Sequence, residues 1–439
     1  MSIESILVAW GLSGTDDHFS YFISLNAILI YIFVAFSIPP SKLLTPKFLQ
    51  YSLVALIIVC FIQYLNCNIV IDTFEGYTSL RKVDYITWLP TSVRGEYYKG
   101  NALRSLFEIG SVLGITIAAF AIFKDRKMLY CILTFFGANM TLMGIYALIQ
   151  KKLDFPIIYN YFYTISDFYG SFPLSNAAGA FLNIGCAINL ALAIVSLRKR
   201  VYFLFLSYLA SSAICSYSAY MSGSEGARLF CFLFWLSLFL LLFWFAVSRF
   251  SSKKIATISM LVAISLLGTV GYSFVASNIN KIACKYNKII EKINESASSR
   301  LFMYDLSFEI ISEKPFWGSG ASSCQYLLTR EMINSRDVKQ ATPALSTYHV
   351  HSDPLEYLME FGIAGVVFII ICTLLWFWDF LKSSPNLESL ILFVGALLCL
   401  LHSCFDMHLH ILSTMIAFSI IAVASVSNSK SKESAGENK

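Results

Sequence analysis

The sequence predicts an all-α polytopic membrane protein. Hydrophobic residues make up 57% of the 439 positions and charged residues only 13%, whereas soluble domains carry about 25% charged residues. Such a chain has too little charge to cover a soluble surface, which excludes a soluble enzyme, a nucleic-acid-binding protein and a disordered scaffold. The apolar residues form continuous runs of about 20, the length of a membrane-crossing helix. They lack the alternation of β-barrel strands.

Eleven such runs predict eleven membrane spans. One of them, at about 103–123, carries a single carboxylate, Glu108, near its start. A further short helix at 3–13 would raise the number of helices to twelve. The other predicted spans are 20–41, 48–71, 128–150, 168–197, 201–224, 229–248, 255–280, 361–378, 389–405 and 407–429.

Lysine and arginine residues in short loops predict the orientation of these spans, because such residues concentrate on the cytoplasmic side. Basic clusters follow the first, third, fifth and seventh spans and end the chain, whereas the short loops at 221–227 and 405–407 hold none. We therefore expect an outside N-terminus without a signal peptide and a cytoplasmic tail. Three large loops, at 72–102, 151–174 and 281–358, then lie on the outer side.

The longest outer loop contains two predicted helices. Apolar residues at helical spacing predict a helix over 301–312, which a turn from Pro315 to Gly320 ends. A second helix is predicted to begin with Asp353 as its N-cap and Glu356 in a capping box. This helix is expected to continue without a break into the ninth span.

Histidines stand just before this second helix. A helix N-terminus favours anions, so an imidazole beside it can act as a general base near an anionic substrate. We interpret His351 as this base, with a capping or surface role as the alternative. His349 is expected to face away from the helix start.

Several charged residues on the outer side are candidates for binding an anionic substrate. Arg300 and Arg228 either bind substrate or anchor the chain at the membrane surface. Glu356 and Glu360 lie four residues apart, so they share a helix face that either meets the substrate or faces solvent.

Two further groups of residues suggest a metal site and a disulfide. His402 and Asp406 have the spacing of metal ligands on a helix, but the run from His402 to His410 crosses the turn between the last two spans. We therefore predict a hydrogen-bonded polar turn and no metal. Cys284 and Cys324 both fall in the long outer loop, where they either pair or remain thiols.

Five short segments on the predicted outer side, in a fixed order over about 170–410, match the motifs of one family. They are Gly170-Ser171-Phe172 with Asn176 and Ala178-Gly179; Ser222 to Ala227; Arg300 with Glu313 to Gly320; His351 to Leu355 with Glu360, Gly362 and Gly365; and His402-Ser403 with Asp406. Together they resemble the bacterial O-antigen ligase/polymerase superfamily. The sequence departs from its pattern at Ser352, where asparagine is usual, and at Glu225, where arginine is frequent. Arg228, one turn later, can take over the arginine's role.

The resemblance implies a C-type glycosyltransferase, an all-α fold of about 11–12 transmembrane helices with a long periplasmic loop, in the bacterial inner membrane. The donor would be a glycan on undecaprenyl pyrophosphate, and the acceptor a lipid A–core sugar or another glycan, with membrane lipid around both. No nucleic acid, cofactor or metal is implied. His351 would be the base and Arg300 the main cation of a periplasmic active site. The substrate-binding residues would be Arg228, Arg104, Arg94, Glu356, Glu360 and Asn176.

Three functions fit these features. The first is an O-antigen ligase. The alternatives are a repeat-unit polymerase of the same superfamily and a non-enzymatic transporter of a lipid or glycan. The chain is predicted to divide into an N-terminal membrane bundle with the first periplasmic loop at 1–170, a ligase-like membrane region at 171–427 and a cytoplasmic tail at 428–439.

Overall fold

The computed structural model describes residues 44–74, 77–95, 101–153, 168–250, 300–334 and 349–427, together with Trp10 and Asn26. In chain order the elements are α1 (Leu44–Leu65), β1 (Ile69–Phe74), β2 (Tyr77–Lys82), β3 (Val93–Arg94), α2 (Ala102–Ile122), α3 (Arg126–Lys152), α4 (Ser175–Arg198), α5 (Tyr202–Met221), α6 (Glu225–Phe250), α7 (300–313), α8 (Cys324–Asn334), α9 (Asp353–Lys382), α10 (Leu387–Ser403), a 3₁₀ turn (His408–His410) and α11 (Leu412–Ser427).

The predicted polytopic membrane fold is confirmed. Within the described ranges, five helices are long and apolar enough to cross a membrane: Lys47–Leu65 of α1, α2, α3, α4 and α9. Helices α10 and α11 are shorter and apolar. The spans predicted at 20–41 and 255–280, the short helix at 3–13 and the tail at 428–439 lie outside the described residues, apart from Trp10 and Asn26.

Helix α4 is the centre of the bundle and packs against α3, α5, α6, α10 and α11. Small residues allow these close approaches, as is common between helices in membranes. A Cβ added at Gly185 would meet the side chain of Met140 in α3, and one added at Gly395 would meet that of Ala187. The buried face of α4 thus packs closely against neighbouring helices.

A three-stranded sheet follows α1 in the segment predicted to lie on the outer side, where only a loop was expected. Strand β1 lies in the middle, antiparallel to β2 and parallel to β3. The span predicted to end at residue 71 ends at Leu65, because Asn66 and Asn68 interrupt the apolar run and the β-branched residues after them favour a strand. Ile69 and Ile71 are buried on one face of this sheet.

The sheet shares a second, smaller core with the outer helices. Ile69 belongs to a buried apolar cluster with Met303 of α7, Leu328 of α8 and Met359 of α9, and this cluster also includes Val350. The outer loops therefore form one packed layer, which we call the outer layer, above the membrane bundle. The predicted helix over 301–312 is confirmed as α7.

Helix α9 breaks at Gly362, so the expectation of an uninterrupted helix was wrong. Gly362 has φ 62° and ψ −167°, values that glycine adopts without a steric penalty. The turn after α7 inserts at this point. The backbone nitrogen of Ile363 donates to the carbonyl oxygen of Pro315 (2.9 Å), and that of Ala364 donates to the carbonyl oxygen of Phe316 (3.2 Å). The inserted turn thus supplies hydrogen-bond partners for backbone groups that the break takes out of the helix.

Candidate functional site

Asp406, in the turn between α10 and α11, is surrounded by polar groups from several elements. Its Oδ1 accepts hydrogen bonds from Asn176 Nδ2 (3.2 Å) and from the Met407 nitrogen (2.9 Å). His351 Nδ1 lies 3.6 Å from Oδ1, and His402 Nε2 lies 3.7 Å from Oδ2. The Asp406 side chain is 4% exposed. Three side chains, those of Asn176, His351 and His402, therefore converge on one buried carboxylate.

His351 holds an uncommon backbone conformation at this site. Its φ is 58°, in the left-handed region that few residues other than glycine adopt. The hydroxyl of Tyr304 donates to the His351 carbonyl oxygen (3.3 Å), and the ring is partly exposed. His351 Nδ1 has no hydrogen-bond partner among the described residues, so Asp406 is the charged group that faces it.

Arg300 is hydrogen-bonded to the same turn. Its Nη1 donates to the carbonyl oxygen of Phe405 (3.2 Å), the residue before Asp406. Tyr304, one turn further along α7, contacts His351. The structure therefore brings Arg300 and His351, the two predicted catalytic residues, to the two-residue stretch Phe405–Asp406.

A second polar cluster lies beside the first and joins the start of α9 to the 3₁₀ turn. His410 Nδ1 is 2.5 Å from Asp353 Oδ1, and His410 Nε2 is 3.6 Å from Glu356 Oε1. His349 Nδ1 is 2.8 Å from the same oxygen of Glu356. We call His349, Asp353, Glu356 and His410 the His–carboxylate cluster.

This cluster corrects three expectations. The helix begins one residue earlier than predicted, with Ser352 as its N-cap, and Asp353 instead accepts from the Leu409 nitrogen (2.9 Å) and pairs with His410. His349 does not face away from the helix start, because it pairs with Glu356. The alternative of a solvent-facing stripe was also wrong, since Glu356 and Glu360 are both buried.

The two carboxylates raise the pKa of their histidine partners. Burial disfavours a charged His410 ring, but the carboxylates of Glu356 and Asp353 outweigh that cost and raise the pKa of His410 to about 10. Burial opposes charge on His349 as well, yet Glu356 raises its pKa. At neutral pH His410 is therefore protonated and forms an ion pair with these carboxylates.

The charge on Asp406 is stabilised in the same way. Burial alone would favour the neutral acid, but the His351 ring and the nearby His402 and His408 rings lower the pKa of Asp406 to about 2. Asp406 is therefore a carboxylate at neutral pH. A carboxylate beside an imidazole orients the ring and stabilises its protonated form.

The other predicted site residues are placed with different partners. Arg228 donates to Glu225 (2.7 Å) and to the Tyr220 carbonyl oxygen (2.8 Å) at the start of α6. Arg104 pairs with Glu108 (2.9 Å) in α2. Arg94 is exposed in β3 and its backbone pairs with Val70 and Asn101; its described contacts do not join it to His351.

Glu360 and Asn176 have distinct positions. Glu360 Oε1 accepts from the Cys324 nitrogen (3.3 Å) at the start of α8, which links α9 to the outer layer. Asn176, in the first turn of α4, contacts Asp406 directly. The expected partner of Cys324 in a disulfide, Cys284, lies outside the described residues.

The run from His402 to His410 forms the predicted hydrogen-bonded turn. His402 stacks on Phe230 with ring centroids 4.7 Å apart, and His408 Nε2 lies 3.1 Å from the Cys399 carbonyl oxygen. Within the described residues, no group of three or more His, Cys, Asp or Glu side chains is arranged to hold a metal ion.

An apolar groove runs from this site into the membrane bundle. Its volume is about 410 Å³, and it lies between α1, α2, α9 and α11. Tyr357, Trp317 and Leu409 line its outer end. Tyr357 stacks on His410, with ring centroids 4.3 Å apart, so the outer end of the groove abuts the His–carboxylate cluster.

The sequence did not identify Asp406, Asp353 and His410 as site residues. The spacing of His402 and Asp406, and the motif segment that contains both residues, were the signals for Asp406, and the spacing also fits a polar turn. The pairing of His410 with Asp353 spans 57 positions, a separation at which one sequence gives no pairing signal.

Part of the chain matches a known family. Residues 210–370 match the family described as O-antigen ligase, a range that includes Arg228, Arg300, His351 and Glu360. A search among curated proteins found no match. Residues 210–370, which include both predicted catalytic residues, are therefore similar to the O-antigen ligase family, and this match supports a glycosyltransferase-like enzyme.

Proposed function

We propose that this protein is an O-antigen ligase-like glycosyltransferase. It moves a glycan from undecaprenyl pyrophosphate to a lipid A–core sugar at the periplasmic face of the bacterial inner membrane. The observation that carries the proposal is the convergence on Phe405–Asp406: a histidine faces a buried carboxylate there, and an arginine binds the adjacent carbonyl oxygen.

In this reaction an acceptor hydroxyl oxygen attacks the anomeric carbon of the donor glycan. The bond from that carbon to the pyrophosphate oxygen breaks, and the pyrophosphate leaves with the bonding electrons. His351 takes the hydroxyl proton through its second ring nitrogen, while Asp406 orients the ring and stabilises the resulting imidazolium. The negative charge that grows on the pyrophosphate needs a cation nearby.

Arg300 supplies that cation. Its contact with the Phe405 oxygen uses one of the five N–H donors of a guanidinium, which leaves others for a phosphate oxygen. A guanidinium binds phosphate through two parallel hydrogen bonds, which also fixes the leaving group in orientation.

Arg228 provides a second cation in this proposal. Glu225 and the Tyr220 carbonyl occupy two of its donors. Its charge is therefore partly compensated, and Glu225 tunes how strongly it attracts the pyrophosphate. In this way Arg228 takes the role of the arginine that the superfamily frequently has at position 225.

The groove suits the polyprenyl chain of the donor. It is lined along α9 from Tyr357 to Trp376, a helical rise of about 28 Å, close to the thickness of the hydrocarbon core of a bilayer. Its outer end meets the His–carboxylate cluster, so a lipid chain in the groove would bring its pyrophosphate toward the polar site.

The two alternatives differ in acceptor and in chemistry. A repeat-unit polymerase would use the same donor and transfer it to another carrier-linked glycan. A transporter would need charged groups near the middle of the membrane, whereas the polar clusters around Asp406 and His410 lie at the outer ends of α9, α10 and α11.

Deletion of the gene, followed by gel analysis of surface polysaccharide, tests the proposal. Loss of ligation leaves long glycan on the carrier lipid and unmodified lipid A–core. Loss of polymerisation instead leaves single repeats on the core. Wild-type protein should restore the normal pattern and His351→Ala should not. Normal polysaccharide after deletion would contradict both enzymatic functions.

A further inference from the structure

The loop between β2 and β3 exposes large apolar side chains. Residues 85–92 read Tyr-Ile-Thr-Trp-Leu-Pro-Thr-Ser and carry no charge. Trp88 is 74% exposed and Ile86 is 50% exposed. Neighbouring exposed apolar groups of this size mark a surface that contacts lipid or another molecule.

Asn66 pins this loop over the outer end of α1. Its Nδ2 donates to the carbonyl oxygens of Ile86 (3.0 Å) and Pro90 (3.2 Å), and its Oδ1 accepts from the Ile86 nitrogen (2.8 Å). Asn66 directly follows α1, whose last turns expose Phe61 and Leu65 on the outside of the bundle. The loop therefore lies at the level where the lipid-facing surface of α1 ends.

The other side of the loop is covered by the outer layer. Lys314 Nζ donates to Thr91 Oγ1 (2.7 Å) and lies 4.8 Å from the centre of the Tyr85 ring. The hydroxyl of Ser92 donates to the carbonyl oxygen of Ala321 (2.6 Å). These contacts fix the loop in place and leave Ile86 and Trp88 on its open side.

The same segment of the outer layer forms the mouth of the groove. Lys314 is followed by Phe316, which is exposed, and by Trp317, which lines the groove. The rings of Phe316 and Trp317 meet edge to face at 4.8 Å. Aromatic side chains thus continue from the loop to the groove entrance.

We propose that the loop at 83–92 inserts Ile86 and Trp88 into the boundary between headgroups and acyl chains of the outer leaflet. The partner is a phospholipid bilayer, and its recognition rests on the amphipathic indole, which is favoured at this depth. The insertion holds the groove mouth at the level of the lipid. This inference goes beyond glycosyl transfer and does not depend on it.

Fluorescence of the full-length protein in phospholipid nanodiscs tests the inference. The signal of Trp88 is the difference between the wild type and Trp88→Phe, a variant that changes only an exposed side chain. We expect phospholipids brominated just below the headgroups to quench this signal more strongly than phospholipids brominated near the ends of the acyl chains. Aqueous iodide should quench it little.

Asn66→Ala provides a second measurement. It removes three hydrogen bonds that hold the loop, so the headgroup-level bromine should quench Trp88 less than in the wild type. Ser79→Ala, which removes one exposed hydrogen bond of the same sheet, is the matched control and should leave the quenching unchanged.

Two results would overturn the inference. Strong quenching of Trp88 by iodide, with none by brominated lipid, would place the loop in water. Protection from both quenchers would show that another part of the protein covers Trp88. Because the readout is fluorescence, either result leaves the proposed transferase activity untouched.

Discussion

His410 Nδ1 lies 2.5 Å from a carboxylate oxygen of Asp353, 57 positions earlier in the chain. This contact joins the start of α9, which follows His351, to the turn that carries Asp406. Since Asp353 is buried, His410 is partly buried and the second nitrogen of His410 approaches Glu356, the pair fixes the relative position of the predicted base and its carboxylate. It also makes that position depend on the protonation of one histidine.

The first prediction concerns the pH dependence of stability. The pKa of His410 is raised to about 10, so its pairing contributes fully below the unfolded value of about 6.5 and is lost as pH rises through about 10. The unfolding temperature of the wild type in detergent should therefore fall between about pH 7 and pH 10. In His410→Gln the fall over this range should be much smaller.

The same variant should also be less stable at neutral pH. Removing one partner of a buried ion pair costs about 3–5 kcal/mol. An unfolding temperature equal to that of the wild type at pH 7 would show that Asp353 does not depend on His410. Arg81→Gln, which breaks an exposed pair with Asp72, is the control and should have little effect.

The second prediction concerns the base. His351→Ala should lower transfer by about 10²–10⁴-fold, the usual contribution of a general base, while the protein stays folded, because the side chain is partly exposed. Asp406→Asn should also lower the rate, since the neutral amide no longer stabilises the imidazolium that forms during the reaction. A rate like that of the wild type would remove Asp406 from this role.

The third prediction separates the two arginines. Arg300→Gln should lower the rate by about 10²–10³-fold, comparable to the loss of one charge-stabilising donor. Arg300→Lys should also be impaired, because one ammonium cannot form two parallel hydrogen bonds. Glu225→Gln should lower the KM for the donor, since it frees the charge of Arg228. A raised KM in Glu225→Gln would mean that Glu225 positions Arg228 for binding.

The fourth prediction reverses a sequence-based expectation. From the sequence alone, His349→Ala is expected to be mild. In the structure His349 is a partner of the buried Glu356, so its removal leaves a carboxylate undersatisfied at a cost of about 1–3 kcal/mol. A thermal unfolding measurement checks this value. Activity should fall less than in His351→Ala, because His349 does not contact Asp406.

The fifth prediction concerns the groove. Ala364→Phe places a ring among the groove-lining residues and should raise the KM for a donor with a full-length polyprenyl chain. The KM for an analogue with a short chain should change little. Val367→Phe, at an exposed position on the same helix, is the control. Equal effects of both substitutions on both donors would argue against a lipid chain in the groove.

Much of the fold followed from local sequence. Apolar run length identified the spans, helical spacing identified α7, and polar residues between two spans identified the turn at 402–410. The break at Gly362 could not be predicted in this way, because it depends on the turn from Pro315 to Gly320 reaching across from another part of the chain.

The site was predictable only where its motifs are local. His351 and Arg300 each stand in a short recognisable segment. Asp406 acquires its role from His351 and Asn176, which are distant in sequence and meet only after α4, α9 and α10 have packed. The same holds for His349, whose orientation depends on the burial of Glu356.

The break at Gly362 has a consequence for how the enzyme meets membranes of different thickness. Backbone groups from Met359 to Ala364, on both sides of the break, are hydrogen-bonded to the turn that follows α7, whereas the later part of α9 is apolar and long enough to lie in a bilayer. A span adapts to a thicker or thinner bilayer by tilting, and the break lets the lower part of α9 tilt without rotating the segment beside His351. We expect the catalytic geometry to be insulated from hydrophobic mismatch, with transfer rates that vary little between short-chain and long-chain phospholipids.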